Sequence, residues 1–221
     1  MKRNIAILAV FILCVSLFLT GGKQKLISED EAKAAGLAFI NHVFDANETE
    51  AVVTKAVQAG TTYVDGEYIH TGNEQNVNYY VVATPTDANG RSDYIVFVNA
   101  ETGVAYSAEK SYSLVPKMTN LQREKWREAY GTGDAETADF GTLISDCYIY
   151  AREWIPQKFD LKAGILGNVD SGSMFDSDGG SSNFYIVIRD GTIYHVTVAW
   201  PQMMVIEVTI LNQTRPTGDV P

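Results

Sequence analysis

Apolar and polar positions follow two rhythms along this chain, and the rhythms change in the same order twice. Beyond an apolar run at residues 5–19, Ala32, Ala35, Phe39, Ile40 and Val43 recur at three- and four-residue steps, the spacing of one helical face. Ser28-Glu29-Asp30-Glu31 stands before them as a capping box, in which Ser28 accepts from the backbone near Glu31 and Glu31 reaches back. Its three acids suit the positive end of a helix dipole. The spacing predicts a helix ending near Phe44. β-rich stretches follow at 52–64, 77–84, 94–98 and 104–108, divided by turn-forming Asp87-Ala88-Asn89-Gly90 and Asn99-Ala100-Glu101-Thr102-Gly103. Pro116 marks a boundary. Thr119-Asn120-Leu121-Gln122 offers a cap for a short helix to Tyr130, with Gly131 as its stop. Phe140, Leu143, Ile144, Cys147, Tyr148, Ala151, Trp154 and Ile155 then keep helical spacing until Pro156, whose missing N–H ends the pattern. A Gly- and Ser-rich stretch at 170–182 reads as a loop. Strands at 184–188, 192–199 and 203–211 follow.

Helix-then-strands therefore occurs twice, and Tyr94, Val96 and Val98 alternate as Tyr194, Val196 and Val198 do. A helix face buried on a sheet face is an α+β arrangement. The expected organisation is two helix-plus-antiparallel-sheet modules in tandem, at 27–115 and 137–212. A helical linker at 116–136 joins them and a tail occupies 213–221. A single larger domain stays open as the other reading.

Parity fixes the register of the second sheet. A two-residue turn at Asp190-Gly191 would mix the faces. A three-residue loop, Arg189-Asp190-Gly191 with Gly191 left-handed as a bulge, puts Phe184, Ile186 and Ile188 on one face with Tyr194, Val196 and Val198. A turn at Trp200-Pro201-Gln202 brings Met204, Ile206, Val208 and Ile210 to that face, which should meet the helix at 140–155. The opposite face then reads Tyr185, His195 and Glu207 as one row over three strands, with Thr197 and Thr209 nearby. A histidine between a phenol and a carboxylate is a candidate recognition spot for a partner. An ordinary solvated strand face is the alternative.

Met1-Lys2-Arg3 followed by the apolar run and Thr20-Gly21-Gly22 reads as a secretory signal over residues 1–22, with an uncleaved N-terminal anchor as the competing reading. Either places the rest outside the cytoplasm, secreted or anchored, with membrane contact only through that segment. With 17 Lys+Arg against 27 Asp+Glu the formal charge is −10, which disfavours nucleic acid as a partner. The 46% hydrophobic content excludes a disordered chain. Cys14 lies inside the apolar run, so a cleaved chain keeps Cys147 alone and has no intramolecular disulfide.

Tyr79-Tyr80-Val81-Val82 and the strand Tyr94-Ile95-Val96-Phe97-Val98-Asn99-Ala100-Glu101-Thr102-Gly103-Val104 resemble a PepSY domain, whose most recognisable piece is Y-x-V-x-V-D-A-x-T-G-x-V. Asn99 stands where that pattern has Asp. Glu31-Ala32 and Ala35 are similar to the family's helix. The match covers roughly residues 27–110 and, less specifically, 137–211. The stretch 185–198 is similar in layout but has Ala199-Trp200-Pro201-Gln202 in place of the D-A-x-T-G turn. The resemblance implies a helix before a small antiparallel sheet. It further implies a non-catalytic module that binds or restrains an extracytoplasmic protein, a peptidase being one such partner, and it carries over no catalytic residue.

Chemistry-bearing patterns are few. Ser171-Gly172-Ser173 is a Ser/Gly loop and not a nucleophile elbow. His42, His70 and His195 lie far apart, so a zinc site would need distant elements to converge. Asp176-Ser177-Asp178-Gly179-Gly180 begins like a calcium loop, but Gly180, Ser181 and Val187 stand at positions for an oxygen ligand, the turn glycine and the bidentate Glu. Weak cation binding by Asp170, Asp176 and Asp178 competes there with a solvated acidic loop. No cofactor and no resident metal is expected. Tyr63, Tyr68, Tyr79 and Tyr80 suit either a glycan or peptide surface or ordinary sheet packing, and Trp126 and Trp154 suit the core or a contact between the modules. The leading expectation is a non-enzymatic exported protein that binds a partner at the cell envelope through a sheet face or edge. The alternative is an envelope ligand- or glycan-binding protein using a groove between the modules.

Overall fold

The computed structural model describes residues 26–54, 57–58, 61–64, 67–70, 78–85, 90–130, 140–176 and 179–211. Helix α1 (Glu29–Val43) starts where the capping box places it: Ser28 Oγ accepts from Glu31 N at 3.2 Å and Ser28 N donates to Glu31 Oε2 at 2.8 Å. After α1 come β1 (Val52–Val53), β2 (Val57–Gln58), β3 (Thr61–Val64), β4 (Glu67–His70), β5 (Asn78–Ala83), β6 (Tyr94–Asn99) and β7 (Ala105–Lys110). The turn between β6 and β7 shows why Asn serves where the PepSY-like pattern has Asp. Asn99 Oδ1 accepts from the backbone of Glu101 and Thr102, both at 2.9 Å, and Gly103 takes φ +71°. One side-chain oxygen is all that turn requires.

Helix α2 (Asn120–Tyr130) is capped by a reciprocal pair, Thr119 N to Gln122 Oε1 at 2.8 Å and Gln122 N to Thr119 Oγ1 at 3.2 Å. Helix α3 spans Phe140–Lys158 and runs through Pro156, where the sequence pattern predicts a stop. Proline in the last turn removes only one donor, and Phe159 N still reaches Ile155 O at 2.8 Å. The expected Gly- and Ser-rich loop is also corrected. It forms most of β8 (Ile165–Asp176) and the start of β9 (Gly179–Ile188), a long antiparallel hairpin. Small residues carry little strand propensity, but backbone pairing with β9 supplies what their side chains do not. β10 (Ile193–Trp200) and β11 (Met204–Leu211) follow.

The fold is α+β: among the described residues, three α-helices and a nine-stranded antiparallel sheet in the order β1-β5-β6-β7-β11-β10-β9-β8, with β2 also on β5. β3 and β4 pair separately. The strands of the two halves join at β7 and β11. Through that joint one row runs straight across six strands: Val82, Val96, Ala108, Val208, Val196 and Phe184. All six are at most 1% exposed. Each large member contributes about 1.5–3 kcal/mol of burial. α1 packs on the β5–β7 end of this face and α3 on the β9–β10 end, so both lie on one side of the sheet. Cys147, Ala151 and Ile155 form the buried stripe of α3, as the periodicity predicts. α2 joins through Trp126, 2% exposed and 4.9 Å from the Trp200 ring. Trp154 is buried in the main core.

The register of β9 and β10 is the one parity selects. Tyr194 faces Ile186, Val196 faces Phe184, and Gly191 takes φ +90°. The β10–β11 pairing differs from the expected one. Ala199 faces Met204 across a four-residue connection with Met203 at φ +51°, and a bulge lies between Thr197 and Val198. Thr197 faces Glu207 while Val198 faces Val205, so Ile206 is the extra residue, and Val205, not Met204, is buried with Val208.

Candidate functional site

The helices leave the other face of the sheet to different residues. Along it, Phe97, Ser107, Thr209, His195 and Tyr185 stand directly opposite one another from β6 to β9. The next row is Ile95, Glu109, Glu207, Thr197 and Asn183. The structure therefore brings the sequence-predicted Tyr185, His195 and Glu207 to one face but not into one row. Tyr185 is opposite His195, Thr209 takes the position expected of Glu207, and Glu207 lies one step along, opposite Thr197. The longer turn and the bulge shift the register by two residues, which moves Glu207 along the strand without turning it over.

The three side chains still meet. The Tyr185 and His195 rings lie 4.8 Å apart at 35°. His195 Nδ1 is 3.5 Å from Glu207 Oε1, and Thr197 Oγ1 donates to Glu207 Oε2 at 2.9 Å. The contact with His195 holds the Glu207 carboxyl below its ordinary range; burial opposes this, and the bond from Thr197 adds to it. Chemically, Thr197 spends its proton on the carboxylate and not on the ring. The arrangement orients a polar surface.

Two neighbours were not singled out by the sequence. Ser107 and Thr209 share a hydrogen bond of 2.7 Å across the joint between the halves. Glu109 faces Glu207 across the same joint, and its pKa is raised by loss of hydration and by the charge of Glu207. Their strand was visible in the sequence, but its partner was not, because β7 and β11 lie about a hundred residues apart. On the first half the outer face is aromatic. Phe97 lies 5.6 Å from Tyr79 and 6.4 Å from Tyr106, whose phenol burial pushes up to about 12, aided by Tyr79.

The other candidates fall as follows. Tyr79 and Tyr80 do not share a surface, because adjacent strand residues point opposite ways: Tyr80 is buried and donates to Ile27 O at 2.7 Å. The side chains of Tyr63 and Tyr68 lie outside the described residues. His42 sits on the helix side, against Lys158, and His195 on the opposite face; the side chain of His70 is outside the description. So are Asp178 and the side chains of Asp170 and Asp176, and with them the cation reading. Residues 1–22 are likewise outside it; among the described residues, no helix is long and apolar enough to cross a membrane. Among the described residues β8 pairs only with β9, and along its other edge Leu166 is 64% and Val169 59% exposed. Open recesses lie at the connection from α3 to β8, lined by Arg152, Pro156, Leu161, Lys162 and Ile165, and beside Asp190 and Tyr194.

No protein-family model matches the chain, and no curated protein sequence does. Among solved structures, the C-terminal domain of Bacillus megaterium YpeB aligns over 89% of this chain and 70% of its own, with a TM-score of 0.45 at 11% sequence identity. A likeness this slight assigns the chain to no family.

Proposed function

We propose that this chain is a non-enzymatic, exported binding module that holds a protein partner at the cell envelope against the outer face of its sheet. The observation that carries the reading is the two-sidedness of that sheet. Both long helices cover one face, and the other gathers Tyr185, His195, Glu207 and Thr197 into a fixed polar surface beside an aromatic one. The PepSY resemblance of residues 27–110 supports a restraining role and suggests a peptidase as the partner class. The apolar run at 5–19 supports export. A second mode has its own support: the outer edge of β8, with exposed Leu166 and Val169, offers backbone donors and acceptors to an added strand.

The test is capture from envelope extract with the wild-type chain and a Tyr185→Ala/His195→Ala variant. A protein retained by the first and lost from the second is the expected result. Retention by both would move the contact to the β8 edge. Tight binding of a purified wall glycan with no protein retained would put the ligand-binding alternative first.

A further inference from the structure

The reading of the outer face as a protein-binding surface leaves the chemistry of its partner open, and the joint between β7 and β11 narrows it. Glu109 and Glu207 stand directly opposite there. Glu207 is engaged by His195 and Thr197. Glu109 is exposed, and its pKa is raised first by loss of hydration and then by the charge of Glu207. Like charges at directly opposed strand positions are destabilising. A positive charge is the complement of this pair of carboxylates.

The neighbouring row, one step along the strands from the pair, says what would carry such a charge. Phe97 lies two strands from β11 on one side and Tyr185 two strands from it on the other. From β6 to β9 there are four strand spacings of about 4.8 Å, or about 19 Å. An extended segment of about six residues crosses that distance. Such a segment rests apolar side chains at both ends and a charged one in the middle. A second copy of this chain is the wrong occupant, because it would set two more carboxylates against these two and bring a formal charge of −10 to another −10.

We propose that the outer face over the β7–β11 joint docks a basic polypeptide segment, which places a lysine or arginine between Glu109 and Glu207 and lays apolar residues on Phe97 and Tyr185. This rests on the outer face being the binding surface.

The probe is a fluorescein-labelled peptide of alternating leucine and lysine, with a leucine–glutamate peptide as control, titrated into the chain and read by anisotropy and hydrogen exchange. The expected result is binding of the lysine peptide alone, weakening as salt rises, with protection on β7 and β11. Glu109→Lys should weaken it tenfold or more. Glu128→Lys on α2 makes the same change in net charge away from the face and should leave it within twofold. Equal losses in the two variants would reduce the effect to net charge and overturn the proposal. So would equal binding of the glutamate peptide, or self-association of the chain through this face. Protection on the outer face without sensitivity to Glu109→Lys would overturn the inference while leaving the face as the binding surface. Protection confined to the β8 edge would overturn both.

Discussion

Glu109 and Glu207 face each other with their pKa values moved in opposite directions, and each direction fixes a pH dependence. Glu207 is lowered in the folded chain. Its contribution to stability is present above its unfolded pKa and is lost as pH falls through the folded one. Glu109 is raised, by lost hydration and then by Glu207. The stability associated with it is complete below its unfolded pKa and is lost as pH rises through the folded one. Glu109→Gln should therefore stabilise the chain at pH 7, by about 0.5 kcal/mol at this exposed position. The gain should vanish at pH 3, where the native side chain is neutral in both states. Urea denaturation at the two pH values measures this, and a variant no more stable at pH 7 would show that Glu109 does not feel its neighbour. Cys147 gives a second test at this scale. It is fully buried, and burial, offset in part by a hydrogen bond with Ser182, pushes the thiol to about 11. Alkylation mapped to Cys147 should be negligible in native buffer and rapid in urea; rapid native labelling would mean that α3 opens locally.

At the scale of elements, α1 and β5 approach closely because Gly36 has no side chain. A Cβ there would stand 2.8 Å from both Cβ and Cγ1 of Val82, whose own exposure is 0%. Alanine gains about 1 kcal/mol of helix propensity over glycine, but overpacking a rigid core costs about 1–3 kcal/mol. The backbone-near clash should win, and Gly36→Ala should lower stability by about 1 kcal/mol in thermal or urea unfolding. A more stable variant would mean that α1 can lift off the sheet without loss. The same scale shows what was legible in the chain. α1, α2 and the Arg189-Asp190-Gly191 turn were readable because their signals are local: a cap, a period, a glycine at a left-handed position. The length of β8 was not, because its Gly and Ser residues are held by the backbone of β9 and not by their own preference. The bulge at Ile206 was hidden for a related reason. Apolar residues run without alternation from Met203 to Ile206, so either parity fits until β10 is in place. That concealed shift is why Tyr185, His195 and Glu207 were correctly assigned to one face and wrongly to one row.

The whole molecule is joined twice, once in each layer, and the joints differ in kind. In the sheet, β7 meets β11 over three residue pairs, against eight for β9 with β10, and one of the three sets Glu109 against Glu207. In the helical layer, the ends of α1 and α3 cap each other. The His42 ring meets the Lys158 carbonyl, Lys158 Nζ donates to the His42 carbonyl at 3.1 Å, and the same ammonium lies 2.6 Å from Asp45. Each helix end thus gives a donor to a carbonyl that the other leaves unpaired. Their environments decide which contact matters. The Lys158 side chain is 12% exposed and that of Asp45 83%, so solvent screens the ion pair at its carboxylate end, while the bond to the His42 carbonyl ties Lys158 to the backbone of α1. Lys158→Met, which keeps the apolar stem, should lower stability by about 1–2 kcal/mol. Asp45→Asn, which suits the positive φ of 51° at that position, should change it by no more than about 0.5 kcal/mol. Native-state hydrogen exchange adds what denaturation alone does not. Since the sheet joint is short, loss of the clasp should speed exchange at Ala108 and Val208 as well as at the end of α1. Equal effects of the two substitutions, or unchanged exchange across the β7–β11 joint, would show that the two layers hold the halves together independently.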